Sequence, residues 1–155
     1  MELTMIEYKK IQVSEDDKYI EELLNLSKAW ANEGCCSAYY ENEPDEFINH
    51  EVYIAIDKER IVAYALGNVR ALEEKTSYNT VGEKCFELDE IFVDAKYRNQ
   101  GIGQDLFRFI EQDVKTRVDL IGTIATSNNY DELLKFYIDE LSMEFKHALL
   151  IKMMK

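Results

Sequence analysis

The stretch from Glu87 to Gly103, ELDEIFVDAKYRNQGIG, constrains this chain more than any other. A strand-like run, Cys85 to Val93, feeds a short loop. Two glycines, Gly101 and Gly103, stand where a helix opens, and that helix carries Ile102, Leu106, Phe109, Ile110 and Val114 on one face. Glycines at such a place let backbone approach a ligand closely, because no Cβ intervenes. The unpaired N–H groups of a first helical turn, with the helix dipole behind them, form an anion site. Arg98 adds a positive charge at its mouth. Two familiar phosphate loops are excluded: Gln104 follows Gly103 where Walker A needs lysine, and Leu106 stands where the dinucleotide fingerprint needs its third glycine. The competing reading, glycines used only for tight helix packing, is weakened by the strand before and the amphipathic helix after.

Periodicity places the remaining elements around this unit. Met5 to Val13 reads as a first strand, and Ser14 begins Ser-x-x-Asp, a relative of the capping box. Ile20, Leu23, Leu24, Ser27 and Trp30 then recur at helical spacing up to Gly34. A short helix is expected after Pro44, the only proline. Val52–Ile56 and Ile61–Leu66 predict a hairpin, residues 70–84 a loop or hairpin tip, and Leu120–Thr126 another strand. A helix is predicted at about 130–141, and Phe145 with Leu149–Met154 predicts a final strand. The order β-α-β-β-β-α-β-α-β indicates an α/β (α+β) layer fold, and without repeats or linkers residues 1–155 parse as one domain.

Charge narrows the partners. Among 155 residues, 31 acids face 18 Lys plus Arg, a net charge of −13, while 46% apolar residues exclude a disordered acidic chain. Such a surface repels a polyanion, so nucleic acid is not expected, and it attracts cations. The N-terminus lacks the basic and apolar regions of a signal peptide, and no run is long enough to span a membrane. Cys35, Cys36 and Cys85 form no disulfide or CxxC framework. A cytoplasmic protein with free thiols, and no membrane partner, is expected. His50 and His147 have no metal-ligand spacing, so no metal is expected, and Cys85 reads as a buried strand residue rather than an acyl carrier.

With Arg98-Asn99-Gln100-Gly101-Ile102-Gly103 preceded by Leu88-Asp89-Glu90-Ile91-Phe92-Val93, the sequence resembles the GNAT-superfamily N-acetyltransferases, whose signature is Arg/Gln-x-x-Gly-x-Gly/Ala. It looks most like their small-amine members, of polyamine and aminoglycoside type. The resemblance implies a mixed, mainly antiparallel central sheet flanked by helices, and acetyl-CoA as co-substrate. It also implies a pyrophosphate held by backbone N–H groups from Asn99 to Gln104, a pantetheine arm paired with the strand edge at Ile91, Phe92 and Val93, and Asn129 beside the cofactor.

Acetyl transfer to an amine has three requirements. An alkylammonium, with a pKa of about 10, must lose a proton; charge on the thioester oxygen needs donors; the departing thiolate benefits from an acid. Strict alternation puts Phe86, Leu88, Glu90 and Phe92 on one face, where desolvation would raise the Glu90 pKa toward a useful base. The resemblance points instead to Asp89, so both carboxylates are candidates. It also implies backbone N–H of Phe92 or Val93 as donor to the oxygen, and a tyrosine on the last helix as acid. Tyr137 matches that helix's Phe-Tyr pair, with Tyr130 as fallback; Ile138 to Met143 departs from the pattern, lacking its glycine and running one residue longer.

Between Lys28 and Lys58 no basic residue occurs, and Tyr39, Tyr40, Glu41 and Glu43 could place aromatic faces and carboxylates around a cationic amine. The expectation is an N-acetyltransferase acting on a small cationic amine by direct attack in a ternary complex. The alternatives are a non-catalytic acyl-CoA-binding domain and an enzyme acetylating a protein N-terminus or lysine. A homodimer stays open.

Overall fold

A computed structural model describes residues 5–36 and 39–155. Strands β1 (Ile6–Ile11), β2 (Glu51–Asp57), β3 (Arg60–Ala71), β4 (Lys84–Val93) and β5 (Leu120–Gly122) form one sheet in sequence order. The first three pairings are antiparallel, and β4–β5 is parallel. Helices α1 (Ile20–Glu33) and α2 (Pro44–Ile48) follow β1, α3 (Ile102–Val114) links β4 to β5, and α4 (Tyr130–Lys135) runs on into a π-helical turn, Phe136–Glu140. This is the expected mixed, mainly antiparallel α/β sheet with helices.

Period-two side-chain alternation splits the apolar strand residues between two cores. Tyr53, Ala55, Ala63, Ala65, Phe86 and Leu88 pack with Leu106, Phe107, Ile110 and Val114 of α3. Val52, Ile54, Tyr64, Leu66 and Phe92 pack with Leu23 and Leu26 of α1 and Phe47 of α2. Leu106 and Ile110 are fully buried, so truncating either to alanine would cost about 2–5 kcal/mol.

Strict alternation fails in β4, and this matters for the site. Leu88 pairs with Gly67 but Glu90 pairs with Leu66, so Asp89 is an extra residue, a β-bulge. Leu88 therefore joins the α3 core whereas Glu90 and Phe92 face α1, with Ile91 and Val93 on the α3 side. Phe86 and Leu88 do not share the face of Glu90, contrary to the sequence reading. The bulge needs Gly67: a Cβ there would lie 2.2 Å from the Glu87 carbonyl oxygen and 2.8 Å from the Phe86 ring.

Three expectations are corrected at element ends. Ser14 does not cap α1; its carbonyl accepts the Asp17 N–H in a turn, Asp17 Oδ1 accepts from Tyr19 N–H, and the helix begins at Ile20. Strand β5 stops at Gly122 rather than Thr126. No strand forms over residues 142–155, so the expected final strand is absent from this sheet.

Candidate active site

The parallel ladder of β4 and β5 runs over Cys85–Glu87 and Leu120–Gly122, and Thr123 Oγ1 donates to the Leu88 carbonyl at 2.8 Å where they part. Beyond that point the two chains splay into a cleft of about 780 Å³, with Ile91, Phe92 and Val93 on one wall and Thr126, Ser127 and Asn129 on the other. Among the described residues, the β4 edge facing this cleft has no strand partner after Glu87.

The loop after β4 closes one end. Asp94 starts it, accepting from Lys96 N–H at 3.0 Å and pairing with Arg60 at 3.2 Å, and Tyr97 donates to Asp57 at 2.9 Å. Asn99 and Gly101 both take left-handed backbone, at φ 62° and 80°. The two glycines serve different needs. A Cβ on Gly101 would meet nothing, so its conformation is what requires glycine; a Cβ on Gly103 would lie 3.3 Å from the Phe136 ring and 3.5 Å from Val93. Asp105 N–H is bonded to the Gly101 carbonyl, so the N–H groups of Ile102, Gly103 and Gln104 lie in the first turn ahead of the helical ladder. These N–H groups, with the dipole of a 13-residue helix behind them, fit the diphosphate of the coenzyme A that the resemblance implies.

Arg98, Asn99, Gly101, Ile102, Gly103, Gln104 and Asn129 line the cleft with Ile91, Phe92 and Val93; Gln100 faces away and is exposed. Gln104 Nε2 donates to the Glu140 carbonyl at 3.1 Å, tying α3 to the π-helical turn. Arg98 is not a free charge. Its guanidinium pairs with Glu33 at 2.6 Å, donates through Nε to the Val93 carbonyl at 3.0 Å and lies over the Phe92 ring at 5.3 Å. The Glu33 carboxylate holds the Arg98 pKa above its usual range. Glu33 was not anticipated, because it sits at the end of α1, 65 residues away in sequence.

The bulge separates the two candidate carboxylates. Asp89 is half exposed and lies 3.1 Å from His50 Nε2, whose Nδ1 contacts the Glu46 carbonyl. Glu90 faces inward: its Oε2 accepts from Asn42 Nδ2 at 2.7 Å and from the Tyr64 hydroxyl at 3.1 Å. Burial raises the Glu90 pKa, and the hydrogen bonds from Asn42 and Tyr64 oppose that rise. A hydroxyl chain continues outward, with Tyr64 3.4 Å from Tyr39, and Tyr39 2.7 Å from Ser27. Burial pushes the Tyr39 hydroxyl up to about 12 and Tyr64 further still, so neither competes with Glu90 for the negative charge at neutral pH.

A stack of aromatic rings adjoins the Tyr39 end of this hydroxyl chain. Tyr39 stacks on Trp30 at 4.3 Å between centroids, and Trp30 stacks on Phe92 at 5.3 Å. Tyr40, Glu41 and Glu43 are exposed on the outer side of the same loop. Tyr137 is buried in the α3-side core, where burial raises its pKa and the neighbouring Thr123 hydroxyl opposes the rise. Tyr130 is 63% exposed at the start of α4. The extra residue after Tyr137 is taken up by the π-helical turn, whose wider i→i+5 closure brings Leu141 N–H to the Phe136 carbonyl. Ser142, at φ 58°, then takes the left-handed position that glycine ordinarily fills after a helix.

Trp30, Tyr64 and Asn42 are the members of this cluster that sequence reading did not single out. Tyr64 stands directly across from Phe92 in the β3–β4 ladder, a signal legible once the hairpin register is known.

The chain matches the model of the Acetyltransferase (GNAT) family over residues 12–141. No curated protein matches it. Among solved structures it is similar to an aminoglycoside acetyltransferase, meta-AAC0020 from an uncultured soil metagenomic sample, in complex with trehalose, at 18% identity over 97% of each chain and a TM-score of 0.66. It is similar to aminoglycoside N-acetyltransferase AAC(6')-Iy in complex with CoA, at 12% identity over 96% of this chain and 99% of that one, TM-score 0.68. A mutant of the BH1408 protein from Bacillus halodurans shares 18% identity over 96% and 99%, with a TM-score of 0.70. At these identities the likeness is one of fold, but the family match spans most of the chain: the protein belongs to the GNAT family of acetyltransferases.

Proposed function

We propose that the protein transfers an acetyl group from acetyl-CoA to the primary amine of a small cationic acceptor, by direct attack within a ternary complex. The observation that carries this reading is Glu90, a part-buried carboxylate with a raised pKa, bonded to Tyr64 beside the stacked rings of Tyr39, Trp30 and Phe92, of which Trp30 and Phe92 line the cleft. An ammonium is drawn to such a place by ring faces and by the carboxylate together. The raised pKa brings Glu90 closer to that of the proton it removes, directly or through one water.

Acetyl-CoA, when bound, supplies the thioester. The N–H groups of Ile102, Gly103 and Gln104 and the guanidinium of Arg98 would hold its phosphates, and the open β4 edge at Ile91–Val93 would pair with its amide-bearing arm. An N–H of Phe92 or Val93 would face the acyl oxygen, Tyr137 would donate a proton to the leaving sulfur, and Asp89 stays the alternative base and Tyr130 the alternative acid. Tyr40, Glu41 and Glu43 would form an outer rim that gathers cations from solution. The solved aminoglycoside acetyltransferases, one of them in complex with sisomicin, support an amine acceptor of this class.

Thiol release from acetyl-CoA is the test, run across polyamines, aminoglycosides, amino acids and short peptides. Turnover on polycationic small amines is expected. Turnover confined to peptides would refute the small-amine assignment, and no turnover despite thermal stabilisation by CoA would refute catalysis. Replacing Glu41 and Glu43 by glutamine should raise KM for a polycation and leave KM for acetyl-CoA in place.

A further inference from the structure

Two thiols in the cleft take no part in the transfer described above. Cys35 and Cys36 are adjacent and part-exposed, and both line the cleft that Ile91, Phe92, Val93 and the first turn of α3 also line. Their Sγ atoms are 3.5 Å apart. The segment that carries them is bonded to the loop after β5. Asn128 N–H donates to the Cys35 carbonyl at 2.7 Å, Asn128 Nδ2 to the Gly34 carbonyl at 3.2 Å, and the Cys36 thiol to the Thr126 carbonyl at 3.0 Å. The pair is thereby held against the cleft wall formed by Thr126 and Ser127.

The two sulfurs have different surroundings. Cys35 Sγ accepts the Trp30 indole N–H at 3.2 Å, and after Glu33 it is among the groups that raise the Arg98 pKa, so a donor and a cation lie beside it. Those are the surroundings of a sulfur nucleophile. Burial pushes the Cys36 thiol up to about 11, and Cys35 adds to the rise, so Cys36 keeps its proton at neutral pH. Cys36 in turn adds to the rise that burial causes at Tyr137, which puts the pair near the hydroxyl assigned to the leaving sulfur.

We propose that the Cys35–Cys36 pair is a thiol–disulfide exchange site for the disulfide of coenzyme A, with Cys35 the attacking sulfur. This rests on coenzyme A binding in the cleft. The thiol product of acetyl transfer, once oxidised in solution to its symmetrical disulfide, carries the same diphosphate to the same helical turn. The Cys35 thiolate attacks one sulfur of that disulfide. A bond forms between them, the S–S bond of the reagent breaks, and one coenzyme leaves as thiolate and takes up the proton that Cys35 lost. The protein thiol is oxidised and half of the reagent is reduced. Cys36 does not displace the attached coenzyme, because adjacent Cα atoms lie about 3.8 Å apart, below the roughly 4.4–6.8 Å that disulfides span. The mixed disulfide is therefore the end product, and its coenzyme blocks the cleft.

Intact mass and peptide mapping of the full chain test this after exposure to coenzyme A disulfide. With reagent at about 10 μM and an effective concentration near 1 mM once bound, it should react about 100-fold faster than glutathione disulfide, which carries no nucleotide. One coenzyme should attach, at Cys35, and dithiothreitol should remove it. Excess acetyl-CoA should slow the attachment, and Cys35→Ser should take none. Thermal stabilisation of the wild type by coenzyme A is measured alongside. Stabilisation without an adduct, attachment at Cys36 or Cys85, or equal rates with the two disulfides would overturn the exchange site alone. No stabilisation and no adduct would overturn the coenzyme cleft as well.

Discussion

Glu90→Gln is the substitution that separates chemistry from architecture at this site. Both hydrogen bonds to the carboxylate, from Asn42 at 2.7 Å and Tyr64 at 3.1 Å, end on the same oxygen, Oε2. A glutamine can put its carbonyl oxygen there and its amide nitrogen where Oε1 was, so neither donor is orphaned. The buried charge disappears as well. Because burial raises the Glu90 pKa, the folded state favours the protonated form. Stability from this group is therefore full below the ordinary carboxylate range and falls as pH rises through the raised value. At neutral pH the glutamine variant should melt at or above the wild-type temperature. Glu90→Ala, by contrast, strands the buried Tyr64 hydroxyl at about 1–3 kcal/mol, and the part-buried Asn42 amide with it, and should melt well below it. With the fold intact, removal of a general base should lower kcat about 10²–10⁴-fold and leave KM for acetyl-CoA nearly unchanged. Thiol release measured from acid to neutral pH should show a wild-type limb that rises as Glu90 deprotonates and is absent in the variant. A Glu90→Gln enzyme within about tenfold of wild-type kcat, or a larger loss in Asp89→Asn, would refute Glu90 as the base.

Other substitutions read single contacts. Tyr64→Phe removes a hydrogen bond that lowers the Glu90 pKa, so the acid limb of kcat/KM should move to higher pH, visible in the same profile. Arg98→Ala leaves Glu33 facing the bound phosphates without its partner and should raise KM for acetyl-CoA by about tenfold, or about 1.4 kcal/mol; Glu33→Gln should lower it. Gly67→Ala drives a Cβ into the Glu87 carbonyl and should cost about 3 kcal/mol in denaturant unfolding. Ser142→Gly relieves a left-handed backbone at an exposed position and should stabilise by about 0.5–1 kcal/mol in the same assay.

The unit from β4 to α3 was legible because its signals are local: apolar residues at period two, then glycines, then apolar residues at helical spacing. Pro44 at the first position of α2 and Gly34 after α1 were legible for the same reason. The start of α1 was not, since Ser14 and Asp17 satisfy each other in a turn before the helix begins. Nor was the bulge at Asp89, which is set by the cross-strand glycine at 67, far away in sequence. One inserted residue reverses which face each later side chain occupies, so Leu88 and Glu90 part company although the sequence makes them alternate neighbours.

The same insertion decides what a carboxylate at this place can do. Without it, strict alternation would set Asp89 and Glu90 on opposite faces of a regular strand, and Glu90 would share its face with Leu88. With it, Glu90 lies among Phe92, Tyr64 and the α1 side of the sheet, where burial raises its pKa and Asn42 can reach it, while Asp89 is left at the surface beside His50. The aromatic stack depends on it too: Trp30 reaches Phe92 because Phe92 faces α1 rather than α3. The acidic stretch before Lys58 showed from sequence that a cation would be attracted. It did not show that Tyr39 and Asn42, rather than the more acidic Glu41 and Glu43, turn inward. That choice is made by the Ser27 hydroxyl, which contacts the Tyr39 hydroxyl at 2.7 Å and accepts the Asn42 N–H at 2.7 Å, a pairing between helix and loop that no local pattern encodes.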